Sequence, residues 1–240
     1  MSGHSHAKKV KHQKDANAAQ RGKVFSKLGG ELYIAAKQGG GDPGANPTLR
    51  AVIDKARIFN MPTANIERAI KRGTGEEAGA ALEQVLFEGY GPGNIAVLVE
   101  GITDNKNRTL GEVKQAFDKN RGKLAQEGAV RWMFERKGVL TVDKEDKEKE
   151  ELELEAIEAG AQDTYWREDG LLEVYTKPTE LDLVKQKLEQ GELKVESPSL
   201  EWIAKERVEL SEQDEKAAEK LFEALDESEA VQEIYANYRY

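Results

Sequence analysis

The sequence contains no cysteine, and its three histidines all lie within the first twelve residues. The missing cysteine excludes disulfide bonds, thiolate zinc sites and a cysteine nucleophile. General acid–base catalysis often uses histidine, and the chain after the opening segment has none. Neither a G-x-S-x-G elbow nor a G-x-x-x-x-G-K-[ST] phosphate loop occurs. We therefore expect a protein that is not an enzyme and that needs no cofactor and no metal.

Long apolar runs are also lacking. The longest apolar-leaning stretch without charge, "GYGPGNIAVLV", is shorter than the roughly 20 apolar residues that a membrane-spanning helix needs. The basic start is not followed by the apolar segment of a signal peptide. These absences predict a cytoplasmic protein that has no membrane partner.

Charge is present in quantity but is unevenly divided. The 240 residues have a formal net charge of -9, yet residues 1–75 contain 14 Lys and Arg against 5 Asp and Glu. The opening "MSGHSHAKKVKHQK" alone has four lysines and no acidic residue. A basic end on an acidic body is typical of proteins that bind a polyanion. A solubilising arm is the alternative explanation of the same charges.

The basic region has the periodicity of a small helical domain. A first helix places Val24, Leu28 and Leu32 on one face, and Gly29 and Gly30 predict a bend or a tight helix crossing. Asn46 and Pro47 are a typical cap and first residue of a second helix. The third helix, "TANIERAIKR", is expected to end at Gly73 and to turn Arg68, Lys71 and Arg72 away from its apolar face.

Strands and helices alternate after about residue 82. "NIAVLVEG" reads as a buried strand, Thr109 with Glu112 as a capping box, and "AVRWMFERKG" as a strand with Val130, Trp132 and Phe134 on one face. A second strand and helix series follows over residues 137–204, and residues 206–240 then supply a helix and a closing strand.

Counting these elements suggests an insertion. Each ferredoxin-like unit needs two strand–helix–strand halves, and the second domain obtains its second half only after the third domain. We predict an α+β protein whose basic N-terminal three-helix domain is followed by two ferredoxin-like α/β domains, the third inserted into the second. The predicted domains are 1–80, then 81–136 plus 205–240, and 137–204 for the insertion; a simple tandem order is the competing topology.

A series of motifs resembles the YebC/PmpR family of bacterial proteins, whose relatives include mitochondrial translational activators. The motifs run in order along the chain as "GHSH", "RGKVFSKL", "GGGDPGANPTLR", "NMPTANIERAIKRGTG", "FEGYGPGN", "TDNKNRT", "FERKG" and "IYANY". The resemblance implies a non-enzymatic protein with a basic helical first domain and two α/β domains. Members are described as DNA-binding transcriptional regulators, and some as ribosome-associated translation factors that help difficult peptide bonds to form, notably at consecutive prolines.

The resemblance also implies a nucleic-acid contact set, which coincides with the basic residues of the first region. The set comprises His4, Lys8, Lys9, Lys11, His12, Lys14, Arg21, Lys23 and Lys27, supported by Arg68, Lys71 and Arg72. Since no convincing helix-turn-helix pattern is present, we favour RNA and the ribosome, with duplex DNA and transcription as the alternative. A protein-interaction module with an incidental arm is a further alternative. We expect a monomer.

Overall fold

The fold is described from a computed structural model, which covers residues 18–143, 147–167 and 169–238. Helices and strands follow one another as α1 (Ala18–Gly39), α2 (Pro47–Ile58), α3 (Thr63–Thr74), β1 (Glu83–Tyr90), β2 (Ala96–Thr103), α4 (Lys106–Lys119), β3 (Lys123–Leu124), β4 (Phe134–Val142), α5 (Lys149–Ala159), β5 (Asp163–Trp166), β6 (Leu172–Thr176), α6 (Leu181–Gln190), β7 (Val195–Ala204), α7 (Glu212–Asp226) and β8 (Val231–Ala236). Within these ranges no helix is both long enough and apolar enough to cross a membrane.

The first domain consists of α1, α2 and α3, and α1 packs against both of the others. Its core is built from the apolar positions at helical spacing, among them Leu28, Leu32, Leu49, Ile53 and Ile66. Asn46 caps α2 as predicted: its side chain accepts a hydrogen bond from the Leu49 N–H at 3.0 Å.

Gly73 lies inside α3 and does not end it. The helix continues to Thr74 and ends at Gly75, whose φ of 82° is left-handed. A Cβ at Gly73 would lie 2.5 Å from the Tyr33 carbonyl oxygen of α1, so only glycine permits this crossing. The predicted helix end at Gly73 is wrong, because a glycine that ends a helix and a glycine that allows close packing look the same in a single sequence.

The second domain has a four-stranded antiparallel sheet in the order β3-β1-β2-β8. Helices α4 and α7 cover one face, and their apolar residues share a core with alternate strand residues. The cap of α4 is Asn105, whose side chain accepts from the Arg108 N–H at 3.1 Å. Thr109 is a buried residue within this helix and donates to Thr103 Oγ1 at 2.9 Å, so the predicted capping box does not form.

The third domain follows the order β4-α5-β5-β6-α6-β7, and its antiparallel sheet has the strand order β5-β6-β4-β7. This is the ferredoxin-like arrangement. The domain lies in sequence between β3 and α7, and β8 then returns to pair with β2. The predicted fold class is confirmed: an α+β protein with a helical first domain and two α/β domains, the third inserted into the second.

Strand β4 joins the two α/β domains. It begins at Phe134 and therefore spans the predicted boundary at residue 136; the domain limits remain predictions. Residues Arg131–Met133 form a 3₁₀ turn rather than part of a strand, and Trp132 is 67% exposed. Val130 and Phe134 are buried beside Leu98 and Tyr235, because the turn rotates Trp132 outward while its neighbours fill the junction between the sheets.

Helix α1 also rests on the second domain. It runs without interruption through Gly29 and Gly30, and a Cβ at Gly30 would approach the Ile102 side chain of β2 to 3.2 Å. Gln38 at the end of α1 donates to the Gln84 side chain of β1 at 3.1 Å. Gly30 therefore permits a tight approach of helix to sheet, and the two glycines do not bend the helix.

Candidate nucleic-acid interface

Lys23 and Lys27 lie one turn apart on α1 and face the second domain. Their ammonium groups each contact the carboxylate of Asp226, the last residue of α7, at 2.7 Å. Burial by itself would raise the pKa of Asp226, but the charges and hydrogen bonds of Lys27 and Lys23 lower it below its ordinary value. These two predicted contact residues hold the first domain against the second, and they would have to release Asp226 to bind phosphate.

Arg21 lies two residues before Lys23 on α1 and is exposed. Its guanidinium lies 6.0 Å from the centre of the Phe25 ring, a distance at which a cation–π contact keeps the side chain oriented. The remaining predicted contacts of the arm lie outside the described residues; they are His4, Lys8, Lys9, Lys11, His12 and Lys14.

The three cations of α3 differ in their surroundings. The Arg68 side chain is 63% exposed, with its Nε 3.9 Å from Glu77, and Lys71 is exposed. Arg72 is half-buried and donates to the Ala80 carbonyl oxygen at 3.3 Å, so it holds the segment that leads to the second domain. Arg68 and Lys71 are therefore the cations of this helix that are directed to solvent.

Helix α2 contributes basic residues that the prediction omitted. The Arg57 side chain is 70% exposed beside Asp54, whereas Arg50 donates to the carbonyl oxygens of Pro43 and Gly44, at 2.9 Å each. No motif distinguished these residues in the sequence. The only available signal was the regional excess of positive charge, which does not say which side chains reach solvent.

The segment "GGGDPGAN" is a tightly bonded connection between α1 and α2. The N–H groups of Ala45 and Asn46 donate to the Asp42 carbonyl oxygen, and the Gly44 N–H donates to the Asp42 side chain at 2.8 Å. The Asn46 amide donates to the carbonyl oxygens of Ala35 and Gly40 at 2.9 Å. Because these N–H groups are already used, the segment does not offer a phosphate cradle of backbone amides.

An acidic cluster lies where the first domain meets the two sheets. Lys55 of α2 contacts Glu31 of α1 at 2.9 Å, and both interact electrostatically with Glu233 of β8. Burial, together with the charges of Glu201 and Glu31, raises the pKa of Glu233 from 4.5 to about 8 despite the opposing charge of Lys55. Acidic side chains therefore meet the first domain at this junction, and Glu233 among them keeps its proton to a higher pH than an ordinary glutamate.

Two family models together match almost the whole chain. The TACO1/YebC protein N-terminal domain matches residues 5–76, and the TACO1/YebC second and third domain matches residues 82–238. This chain belongs to the TACO1/YebC family. The YebC-type fold is thereby assigned to all three domains, including the basic first domain that carries the predicted contacts.

Relatives within the TACO1/YebC family are similar over their full lengths. A probable transcriptional regulatory protein from Geobacillus thermodenitrificans is 47% identical over 239 residues, which cover 99% of this chain and 96% of the relative. The probable transcriptional regulatory protein YrbC of Bacillus subtilis is 45% identical over 241 residues and covers 100% of both chains. The crystal structure of the conserved hypothetical protein Aq1575 from Aquifex aeolicus matches with a TM-score of 0.86 and 43% identity, over 96% of this chain and 95% of that one.

Proposed function

We propose that this protein is a non-enzymatic regulator of gene expression that binds duplex DNA through its basic arm and helical first domain. The observation that supports this most is the charge division: the first 75 residues have an excess of nine positive charges, whereas the remaining residues contain 40 Asp and Glu against 22 Lys and Arg. The names of the bacterial relatives favour transcription as the regulated process.

Phosphate contacts are the kind of recognition that this surface suits. Arg21, Arg57, Arg68 and Lys71 are exposed on the helical domain, and cations of this kind neutralise phosphates without reading sequence. The exposed residues in the first turn of α3 are Thr63 and Ala64, which offer little to base edges. Affinity is therefore expected to come mainly from phosphate contacts and to fall steeply with salt.

The second candidate is a ribosome-associated translation factor that assists difficult peptide bonds, for example at consecutive prolines. The lack of a convincing helix-turn-helix pattern in the first domain favours it, because structured RNA is recognised largely through its backbone and shape. The acidic second and third domains would then extend away from the RNA. A protein-interaction module whose arm is incidental is an outcome of the test below.

The experiment compares binding to duplex DNA with co-sedimentation on ribosomes, both at about 0.15 M salt. The intact protein is measured beside a variant with Lys8, Lys9, Lys11 and Lys14 changed to alanine. A control variant loses the same charge from exposed positions of the other domains, at Lys119, Lys187, Lys194 and Lys216.

DNA binding that is lost in the arm variant but kept in the control would support the transcriptional function. Retention on ribosomes with only weak DNA binding would support the translation factor instead. If the arm variant matches the intact protein in both assays, the nucleic-acid function of the arm is wrong, and a protein-interaction role replaces it.

A further inference from the structure

A cleft of about 560 Å³ lies between the first and second domains. One wall is the face of α1 that carries Gly22, Ser26 and Gly29, and the opposite side is formed by α3 and by the corner where β2 leads into α4. Its volume is within the range of sites that bind small molecules. The cleft is separate from the contacts of Lys23 and Lys27 with Asp226, although it borders the same two domains.

The α1 wall of the cleft lacks side chains where a helix would normally carry them. A Cβ at Gly22 or Gly29 would have nothing within 4 Å, whereas one at Gly30 would meet Ile102. Glycine is disfavoured in a helix interior, and Gly30 has a packing reason that the other two positions lack. The bare wall leaves space that any larger residue at position 29 would fill.

Polar groups of suitable chemistry line the other sides. Arg68 and Arg108 stand at the mouth with 63% and 56% of their side chains exposed, and Arg108 is paired with Asp104 at 2.6 Å. Arg72 and Gln232 also line the cleft, and Arg72 Nε and Gln232 Oε1 are buried and have no hydrogen-bond partner among the described residues. Buried polar atoms are nearly always bonded, so a donor and an acceptor without partners indicate a ligand that supplies the complementary groups.

The required ligand has anionic oxygens for the arginines, a hydrogen-bond donor for Gln232, and a flat apolar part to lie along the bare helix wall near Phe25. A nucleotide has all three. We propose that this cleft binds one unpaired nucleotide, with its phosphate at Arg68 and Arg108 and its base against Gly29. Because both arginines stand at the mouth, the backbone of a nucleic-acid strand can continue into solvent.

This inference rests on the proposed function, since the nucleotide would belong to an unpaired segment of the bound nucleic acid. A free mononucleotide presents the same chemistry and is the other source. The bases of a fully paired duplex are stacked and paired inside the helix, so a duplex is expected to bind only through the outer cations.

The test measures binding of a labelled single-stranded adenylate oligomer of about five nucleotides, a length that one small domain accommodates. Adenosine monophosphate is the competitor, and a fully paired hairpin is the probe for the outer cations. Gly29→Leu fills the cleft, and its fold should hold because nothing lies within 4 Å of the new Cβ. Gly111→Leu is the matched control, an exposed glycine of α4 that also has nothing within 4 Å.

We expect Gly29→Leu to bind the oligomer roughly tenfold more weakly or worse, since it removes several polar contacts together. Gly111→Leu should bind as the intact protein does, and the hairpin should bind all three proteins alike. Gln232→Leu, which changes no charge, should weaken oligomer binding severalfold while leaving thermal stability intact. Competition by adenosine monophosphate would identify a mononucleotide site, and its failure a strand site.

The proposal is overturned if Gly29→Leu binds the oligomer as tightly as the intact protein, or if Gly111→Leu loses as much affinity. Its failure differs from failure of the proposed function. If Gly29→Leu keeps its affinity for the oligomer while the arm variant loses nucleic-acid binding, the proposed cleft site is wrong. If the arm variant keeps its nucleic-acid binding, the proposed function of the arm is wrong.

Discussion

Lys23 and Lys27 on α1 belong to the same basic domain as Arg68 and Lys71 on α3, but the two pairs have different surroundings. The α1 lysines both contact Asp226 and keep 28% and 14% of their side chains exposed, whereas the Arg68 side chain is 63% exposed. Positive charge in this domain therefore serves two purposes. One pair holds two domains together, and the other is directed to solvent, where a phosphate could reach it.

Changing Asp226 to alanine should remove the contact that holds Lys23 and Lys27 against the second domain. Lys23 and Lys27 would remain partly buried without their carboxylate, so we expect the free energy of unfolding to fall by about 1–3 kcal/mol. Urea denaturation measures this loss. Asp118→Ala is the control, because the exposed Asp118–Lys114 pair within α4 should contribute no more than about 0.5 kcal/mol. Equal losses in both variants would contradict the assigned role of Asp226.

Glu233 lies where the first domain meets the two sheets and has acidic neighbours, so its response to pH differs from that of Asp226. Its folded-state pKa of about 8 exceeds its ordinary value of 4.5, so the folded protein binds the proton more tightly than the unfolded chain. The stability due to this group is complete below about pH 4.5 and is lost as the pH rises toward 8. We expect a loss on the order of 1 kcal/mol across this window, since Glu233 retains some solvent exposure.

Urea denaturation between pH 5 and pH 8.5, on each side of the shifted pKa, measures the Glu233 contribution. Glu233→Gln cannot titrate, so its stability should fall less over this range than that of the intact protein. Parallel pH profiles for the two proteins would show that Glu233 does not titrate with a raised pKa.

The smallest expected change in stability comes from the α3 pair. Arg68→Gln with Lys71→Gln should alter the free energy of unfolding by no more than about 0.5 kcal/mol, because both side chains are exposed. The same double variant should reduce the slope of log affinity for duplex DNA against log salt by up to about 2, one unit for each lost phosphate contact.

The charge-matched double variant on α1 has the opposite expected pattern. Lys23→Gln with Lys27→Gln should lower stability while leaving the salt slope nearly unchanged, since these ammonium groups are already paired with Asp226. Titrations at several salt concentrations and urea denaturation compare both pairs. A larger loss of slope in the α1 variant would reverse the assignment of the two surfaces.

Local sequence signals predicted helices and their caps best where a residue type has a single structural role. Asn46 before Pro47 caps α2 as expected, and the helical spacing of Leu28 and Leu32 identifies the first core. Counting strands and helices also predicted that the third domain interrupts the second, because an incomplete sheet needs a partner strand from later in the chain. That strand is β8.

The wrong predictions concern residues with more than one possible use. Gly73 could end a helix or allow a close crossing, and the position of the Tyr33 carbonyl oxygen determines that it does the second. Thr109 has the spacing of a cap but is buried against Thr103. Trp132 fits an alternating strand, yet a 3₁₀ turn directs it to solvent. Each outcome depends on a neighbour that is distant or follows a turn.

The family, the fold class and the concentration of positive charge in the first 75 residues can be read from the sequence, since they depend on composition and on the order of motifs. Which cations are paired depends on the folded chain, because Asp226 approaches Lys23 and Lys27 from about two hundred residues away along the chain. Only the tertiary structure decides that Gly29 faces a cleft while Gly30 packs against a strand, since that distinction requires the second domain to lie against α1.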